Sequence, residues 1–579
     1  MLLENIAENS IILYDQRQQQ WKLFSQPLHI VRTEQIDQVV PALGDIESAV
    51  KQDGLWAAGF LSYEAASAFD SALHTHAPSG FPLLWFGLYR RAEPFRLPEQ
   101  LNDNNERLAW QASVSGNQYA DAIRVIKHRI SRGDTYQVNY TYRQRAAFQG
   151  KIWLLFQQMV DAQGPGYSAF VNLSDWCICS ASPELFFSKD GTTLTCKPMK
   201  GTAARGLLMV QDQQRARRLE RSVKDRAENT MIVDMVRNDM GRIARTGSVR
   251  VPQLNQVECY PTVWQMTSTV TCQTDACLPE LFSALYPAAS ITGAPKASTM
   301  NIIIQLENTP RNIYTGSIGF ISPENHCQFN VAIRTLLLNK KTGAAEYGTG
   351  GGIVWDSSDK KEYEESLIKT RILNRSTPRY LFESMLWTLK EGYFLPDYHL
   401  DRLSDSALYF GYPFDRAKAQ ALLKKESSNW QQKRLKVRLV LTPDGEMNIE
   451  AASLVPHPLP YPIRLAAAPV DSGNPNLYHK TSDRKPYQTA AEQAVTPDVI
   501  LWNEKDRLTE SCTANIALEI SGTLYTPPVS DGLLPGVYRR YLLEQKKMRV
   551  KSLKKRDLTR CSKIYCMNSV RGLWEADLI

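Results

Sequence analysis

The sequence predicts an α+β protein built in two parts. Three observations carry that expectation. The chain has 579 residues, more than one ordinary hydrophobic core accommodates. Period-two apolar segments alternate with amphipathic stretches of helical period. A polar, proline-bearing segment, Asn374-Arg375-Ser376-Thr377-Pro378-Arg379, separates a helical pattern ending near Leu373 from a new apolar run starting at Tyr380. The expected boundaries are therefore 1–375 and 376–579.

In the first part, Leu185–Phe187 and Phe329–Leu338 read as strands, the second one fully buried. Asp225–Arg242 reads as a helix with an apolar stripe of Met231, Ile232, Met235 and Val236. KEYEESLIKTRIL reads as a second helix. In the last part a helix is expected from Leu400 through Phe410. No short repeat is present, which argues against solenoids and propellers.

Bulk composition narrows the function classes. Hydrophobic residues make up 43% and charged residues 22%, with a net charge of +8. That charge suits small anionic substrates and shows no basic stripe for nucleic acid. The densest basic run, Lys546–Arg556, alternates basic and apolar residues and reads as a surface strand. The ten cysteines are scattered, and Cys177 and Cys179 do not form a metal knuckle. No signal peptide and no apolar run of ~18 residues are visible, so a cytoplasmic enzyme with reduced thiols is expected and no membrane partner.

Four features of the first part carry chemistry. Asp225 and Glu228, and Glu362 and Glu365, are pairs three residues apart, which on helices share a face. Together they could offer carboxylates to a hard cation such as Mg²⁺. Lys200 lies in KPMKGTAARG, where glycine and small residues let a backbone approach a ligand, and a lysine in such a site can serve as base or nucleophile. Glu184 in SASPELFF precedes an apolar strand, a setting that raises a carboxyl pKa for acid catalysis. The glycine-rich stretch Gly348–Ile353 reads as a loop whose amides could cradle a carboxylate. Each also has a plainer reading as a solvated helix face, a surface lysine or a turn residue, and spacing alone does not choose.

The ordered set does choose. GDTYQVNYTYR (Gly133–Arg143), SASPELFF, KPMKGT, KDRAENTMIVDMVRNDMGRI, SITGAPK (Ser290–Lys296), PRNIYTGSIG, VAIRT and EYEESLIK resemble the chorismate-utilising enzymes. These include anthranilate, isochorismate and aminodeoxychorismate synthases. The resemblance runs from about Asn117 to Lys369. It implies a chorismate-binding fold, a large two-sheet β sandwich with helices. It implies Glu228 and Glu365 as Mg²⁺ ligands, with Asp225 and Glu362 in support. Arg334, Tyr314 and the amides of Gly348, Gly350 and Gly351 are implied to hold a carboxylate. Thr292 and Gly293 are expected to line the pocket, and Glu184 to protonate the departing C4 hydroxyl. Lys200 matches the lysine of the aminodeoxychorismate branch, where anthranilate synthases carry alanine, so amination at C4 is expected. Trp264 and Gln265 stand where many relatives have a histidine. The alternative is an anthranilate or isochorismate synthase joined to a transaminase.

In the last part, His399 and Arg402 are three apart at a helix start, and the arginine could grip a phosphate. Lys480 lies in YHKTSDRKPY, Glu510 in LTESCTANIAL, and a Pro-Gly turn opens the helix in DGLLPGVYRRYLLE. One lysine, one carboxylate and two phosphate grips are what pyridoxal phosphate requires. The order, about Phe382 to Gly572, resembles class IV aminotransferase-fold enzymes, an α/β domain that includes aminodeoxychorismate lyase. It implies Lys480 as the Schiff-base lysine and Glu510 as partner of the pyridine nitrogen. It implies Arg402 with the amides of Val537 and Tyr538 as phosphate binders. The family's short strand and glycine-rich turn before Phe382 are missing, and an oligomer through this part is allowed. The pairing implies 4-aminobenzoate synthesis from chorismate. No glutamine amidotransferase motif is visible, so ammonia is expected from solution or from a separate glutamine amidotransferase subunit.

Overall fold

Strands that alternate buried and solvent-facing side chains need a cover on the apolar face, and the first 376 residues solve this by placing two large sheets against each other. The computed structural model describes residues 6–98, 108–373, 377–492 and 496–579. The expected junction residues 374–376 lie outside the described residues. The chain divides into two compact units, Met1–Arg205 with Arg215–Ser376, and Gly206–Gln214 with Thr377–Ile579. The partition thus departs from a single cut. Residues 206–214 belong to the second unit, where Leu207 and Leu208 pack with Ala466, Val470 and Leu477.

In the first unit each sheet has ten strands among the described residues. One sheet runs from Gly293–Ala294 through Gln137–Ala147, Ala344–Ile353, Thr335–Asn339 and Trp176–Ser180 to the N-terminal hairpin of Ser10–Asp15 and Gln20–Phe24. The other runs from Met199–Ala204 through Val263–Gln273, Thr193–Lys197, Leu185–Asp190, His326–Asn330 and Ser317–Ser322 to Trp56–Leu61. Ile11, Leu13 and Phe24 of the first meet Phe60, Trp85 and Phe320 of the second in a dry layer. Helices cover both outer faces, with Ile152–Gln163 on the first sheet and Ile36–Gln52, Val223–Gly241 and Leu278–Leu285 on the second. This is the sandwich with helices that the sequence predicts.

Two expectations are corrected. Phe329–Leu338 is buried for nearly its whole length but is not one strand. His326–Asn330 ends in one sheet, Thr335–Asn339 begins in the other, and Arg334 turns the chain between them at φ 53°. A non-glycine residue there costs about 1–3 kcal/mol, held here by packing and by the Arg334 Nη1 bond to the Lys369 carbonyl. Gly348–Ile353 is not a loop. It is the end of the Ala344–Ile353 strand, paired residue by residue with Val138–Arg143. Its glycines serve close approach rather than turning, since a Cβ on Gly348 would collide with the Tyr314 ring. The other edge of this strand pairs only over Ala345–Tyr347, so the alternate amides from Gly348 onward on that edge are off the ladder.

The second unit holds a four-stranded antiparallel sheet, ordered Gly392–Tyr393, Leu381–Thr388, Arg434–Leu441, Met447–Ser453, with Pro396–Phe410 packed on Leu381–Thr388 through Leu400 and Leu403. An eight-stranded mixed sheet follows and closes on itself where Glu510 pairs with Asn515. The basic run at Lys546–Arg556 forms a strand only at Arg549–Val550, because Lys546 takes φ 57° and Lys555–Thr559 coils into a 3₁₀ turn.

Candidate functional sites

The first unit's cavity is assembled from both sheets and two helices. Ser222 caps the helix Val223–Gly241 by accepting the Asp225 amide, a bond worth about 1 kcal/mol. That start places Asp225 and Glu228 on the face toward the cavity. The helix Asp359–Thr370 presents Glu362 and Glu365 to the same space. All four carboxylates line one cavity, although no group of three or more metal-ligating side chains converges among the described residues. Cations balance two of them: Glu228 stands 3.8 Å from Lys200 and 3.7 Å from Lys224, and Glu365 stands 3.0 Å from Lys369. Glu362 accepts the Ser357 hydroxyl, and burial with the Glu365 charge beside it pushes its pKa up. The donors are all carboxylate oxygens, the ligand type a hard cation takes.

Lys200 is held in the strand Met199–Ala204, and burial pushes its pKa down. Its Nζ occupies the space a Cβ on Gly352 would need. Glu184 is buried, accepts the Ser290 hydroxyl at 2.6 Å, and burial raises its pKa to about 7. A carboxyl at that value is protonated half the time at neutrality and can donate. Tyr314 lies under the Arg143 guanidinium, 5.1 Å from the ring centre, with its pKa pushed up to about 12 by burial. Arg334, Gly348, Gly350 and Gly351 line the same cavity.

Thr292 and Gly293 are not in the wall. The Thr292 hydroxyl bonds back to the Ala288 carbonyl and its own carbonyl accepts the Asn139 amide, while Gly293 pairs with Val138 behind it. Ser290 and Ile291 of the same motif line the cavity instead. Lys369 was also missed. It bonds the Gly350 carbonyl at 2.8 Å, and its place one turn after Glu365 was the available signal. Gln265 lines the cavity and accepts the Thr202 hydroxyl.

The second unit brings its expected residues together around Lys480. This lysine is partly buried, with its Nζ 5.0 Å from the Phe382 ring centre, and desolvation lowers its pKa to about 7. Glu510, at the closure of the barrel-like sheet, accepts from the Tyr487 hydroxyl, the Leu534 amide and the Asn515 amide, and burial raises its pKa to about 7. Arg402 donates twice to Glu383, at 2.8 and 2.6 Å, and a third time to the Pro535 carbonyl. It thereby sits at the mouth of the helix Val537–Glu544, whose first-turn amides, those of Val537 and Tyr538 included, have no intrahelical partner. Gly536 must be glycine because a Cβ would strike Asn515 Oδ1. The arginine holds Glu383 down to about 2 despite its burial, and His399 shares that carboxylate at 2.6 Å. His399 Nε2 is buried without a hydrogen-bond partner among the described residues. A partly buried lysine, a buried carboxyl, an arginine at a helix start and an orphaned imidazole nitrogen fit a phosphorylated pyridine.

Residues 8–375 match the family described as chorismate binding enzyme, and residues 380–579 match amino-transferase class IV. Aminodeoxychorismate synthase component 1 of Salmonella typhimurium is 39% identical over 284 residues, covering 48% of this chain and 61% of that protein. The protein of the same name from Escherichia coli is 41% identical over 46% of this chain and 59% of its own length. This chain therefore spans about three fifths of the length of these relatives. The crystal structure of anthranilate synthase component I from Streptococcus pneumoniae shares the fold of the first unit, with a TM-score of 0.54 and 23% identity over 65% of this chain and 94% of that one. Among the described residues no helix is long and apolar enough to cross a membrane.

Proposed function

This chain belongs to the chorismate binding enzymes, and from that premise we propose that it makes 4-aminobenzoate in two steps. The first unit replaces the C4 hydroxyl of chorismate by an amino group, and the second eliminates pyruvate from the product. Residues 1–375 carry the amination and 376–579 the elimination. The observation that carries the reading is Lys200, its side chain 12% exposed in the cavity that Glu184 and Glu228 also line. Its neutral Nζ attacks ring C2, the double bond shifts, and the C4 hydroxyl leaves as water with the proton of Glu184. Ammonia then adds at C4, the double bond shifts back, and Lys200 departs from C2. Arg334 and Tyr314, with the cavity-facing amides of Gly348–Gly351, hold a substrate carboxylate. Glu228 and Glu365, with Asp225 and Glu362, would hold Mg²⁺, which would supply positive charge for the ring carboxylate.

In the second unit, pyridoxal phosphate supplies an electron sink when bound. Arg402 and the Val537 and Tyr538 amides would hold its phosphate, and Glu510 would pair with its pyridine nitrogen. Lys480 Nζ, with its pKa near neutrality, removes the C4 proton as the ring becomes aromatic and returns a proton to the departing pyruvate. Ammonia comes from solution or from a separate glutamine amidotransferase subunit, and the named relatives being component 1 supports the latter. We place the enzyme in the cytoplasm. The test is chromatographic product identification with chorismate, Mg²⁺, ammonium and pyridoxal phosphate. Joint appearance of 4-aminobenzoate and pyruvate is expected. Anthranilate or isochorismate would overturn the role given to Lys200, and accumulated 4-amino-4-deoxychorismate would overturn that of the second unit.

A further inference from the structure

Gln137 is fully buried, and neither its Oε1 nor its Nε2 has a hydrogen-bond partner among the described residues. Its main chain is held in place: the carbonyl accepts the Thr135 and Thr299 hydroxyls, and the residue pairs with Ala294. An interior carboxamide with both ends unpaired weakens a fold, and hydrocarbon of the same volume would serve packing better. The side chain abuts Gly352. A Cβ added there would meet Gln137 Nε2 at 3.1 Å and Cδ at 3.2 Å, and would collide with Lys200 Nζ. The bare backbone of Gly352 thus lets the amide and the ammonium share one space. Gln137 itself stands behind the wall formed by Asn139 and Gly352 and does not line the cavity.

We propose that the Gln137 carboxamide is a positioning residue for Lys200, its Oε1 accepting a Lys200 N–H and turning the Nζ away from Glu228 toward substrate. Rotation about χ3 brings either end of the amide to the lysine at little cost. A neutral acceptor fixes direction without adding a second charge beside Glu228. The proposal rests on the nucleophilic role given to Lys200 above.

The test uses the full-length chain carrying Gln137→Met, which keeps the volume and removes the amide. The expected result is a kcat for amination lowered on the order of 10- to 100-fold with KM for chorismate little changed, and a Tm equal to or above that of the parent. A second readout does not need turnover. Reductive methylation of Lys200 by formaldehyde and cyanoborohydride, read by peptide mass spectrometry against Lys480 as internal reference, is expected to slow severalfold. Unchanged kcat and unchanged labelling, or a lowered Tm with kcat and KM falling together, overturns the proposal. A parent protein that yields no 4-amino product overturns the proposed function instead, and the labelling ratio still judges Gln137.

Discussion

Glu184 and Glu510 are the same residue type, both buried, both raised to about 7, one in each unit. Their surroundings differ. Glu184 accepts one hydroxyl, from Ser290, and lines an open cavity. Glu510 accepts from three donors at the closure of a sheet. Glu184 also meets the Met199 main chain, but it opens onto a cavity into which a proton can be given. The other is fixed by its three donors at the closure of the sheet. A raised pKa alone therefore does not name a job; the hydrogen-bond partners do.

The two lysines give the most severe way to separate the sites. Lys200→Ala should lower amination by more than about 10³-fold, and Lys480→Ala should leave amination intact while 4-amino-4-deoxychorismate accumulates, both read by product chromatography. Equal loss in both steps from either variant would break the division of labour. Next, Glu184→Gln should cost amination about 10²- to 10⁴-fold and spare elimination, measured with supplied intermediate. Glu510→Gln should do the reverse, because its new amide confronts three donors. Retained elimination there would remove Glu510 from the cofactor site.

A stability measurement sharpens the contrast between acid and base. Glu184 and Glu510 keep their protons in the folded state up to about 7 while the unfolded carboxyl ionises near 4.5. Each therefore favours folding at low pH and loses that advantage as pH rises from 4.5 to about 7, by about 3 kcal/mol. Lys480 has the opposite sign. Its folded pKa near 7 lies below the unfolded 10.5, so its penalty lightens as pH rises through that interval. Cofactor-free protein should have a Tm minimum near neutrality, and Glu184→Gln should flatten its acidic side. The smallest effect concerns Ser290. Its hydroxyl lowers the Glu184 pKa, so Ser290→Ala should move the alkaline limb of amination upward by about one pH unit or less. A downward move would mean that Glu184 does not act as the acid.

Much of both sites was legible because the chemistry sits in short motifs. Lys200, Glu184 and the two i,i+3 carboxylate pairs come to line one cavity, and Lys480 and Glu510 come within electrostatic reach of each other. What escaped depends on approach between distant segments. Apolar content could not tell that Phe329–Leu338 changes sheets at Arg334. Glycine spacing read as a loop where the glycines of Gly348–Gly352 are dictated by Tyr314, Thr141 and Lys200 pressing on a strand. The choice between Ser290 and Thr292 hung on which way a three-residue turn faces, and the membership of 206–214 in the second unit on contacts made after residue 460.

That glycine strand also limits how the cavity can change. A methyl group at Gly348, Gly350 or Gly352 would strike a ring, a backbone or the Lys200 amine, whereas at Gly351 the nearest atoms, Glu362 Oε2 and Lys369 Nζ, stand 3.6 Å off. Gly348 and Gly350 are closed by a ring and by backbone, while at Gly352 the obstacle is the movable end of Lys200, so a side chain there displaces the amine. Variation toward new ring substituents has room at Gly351 and at other lining residues such as Gln265 and Ile333.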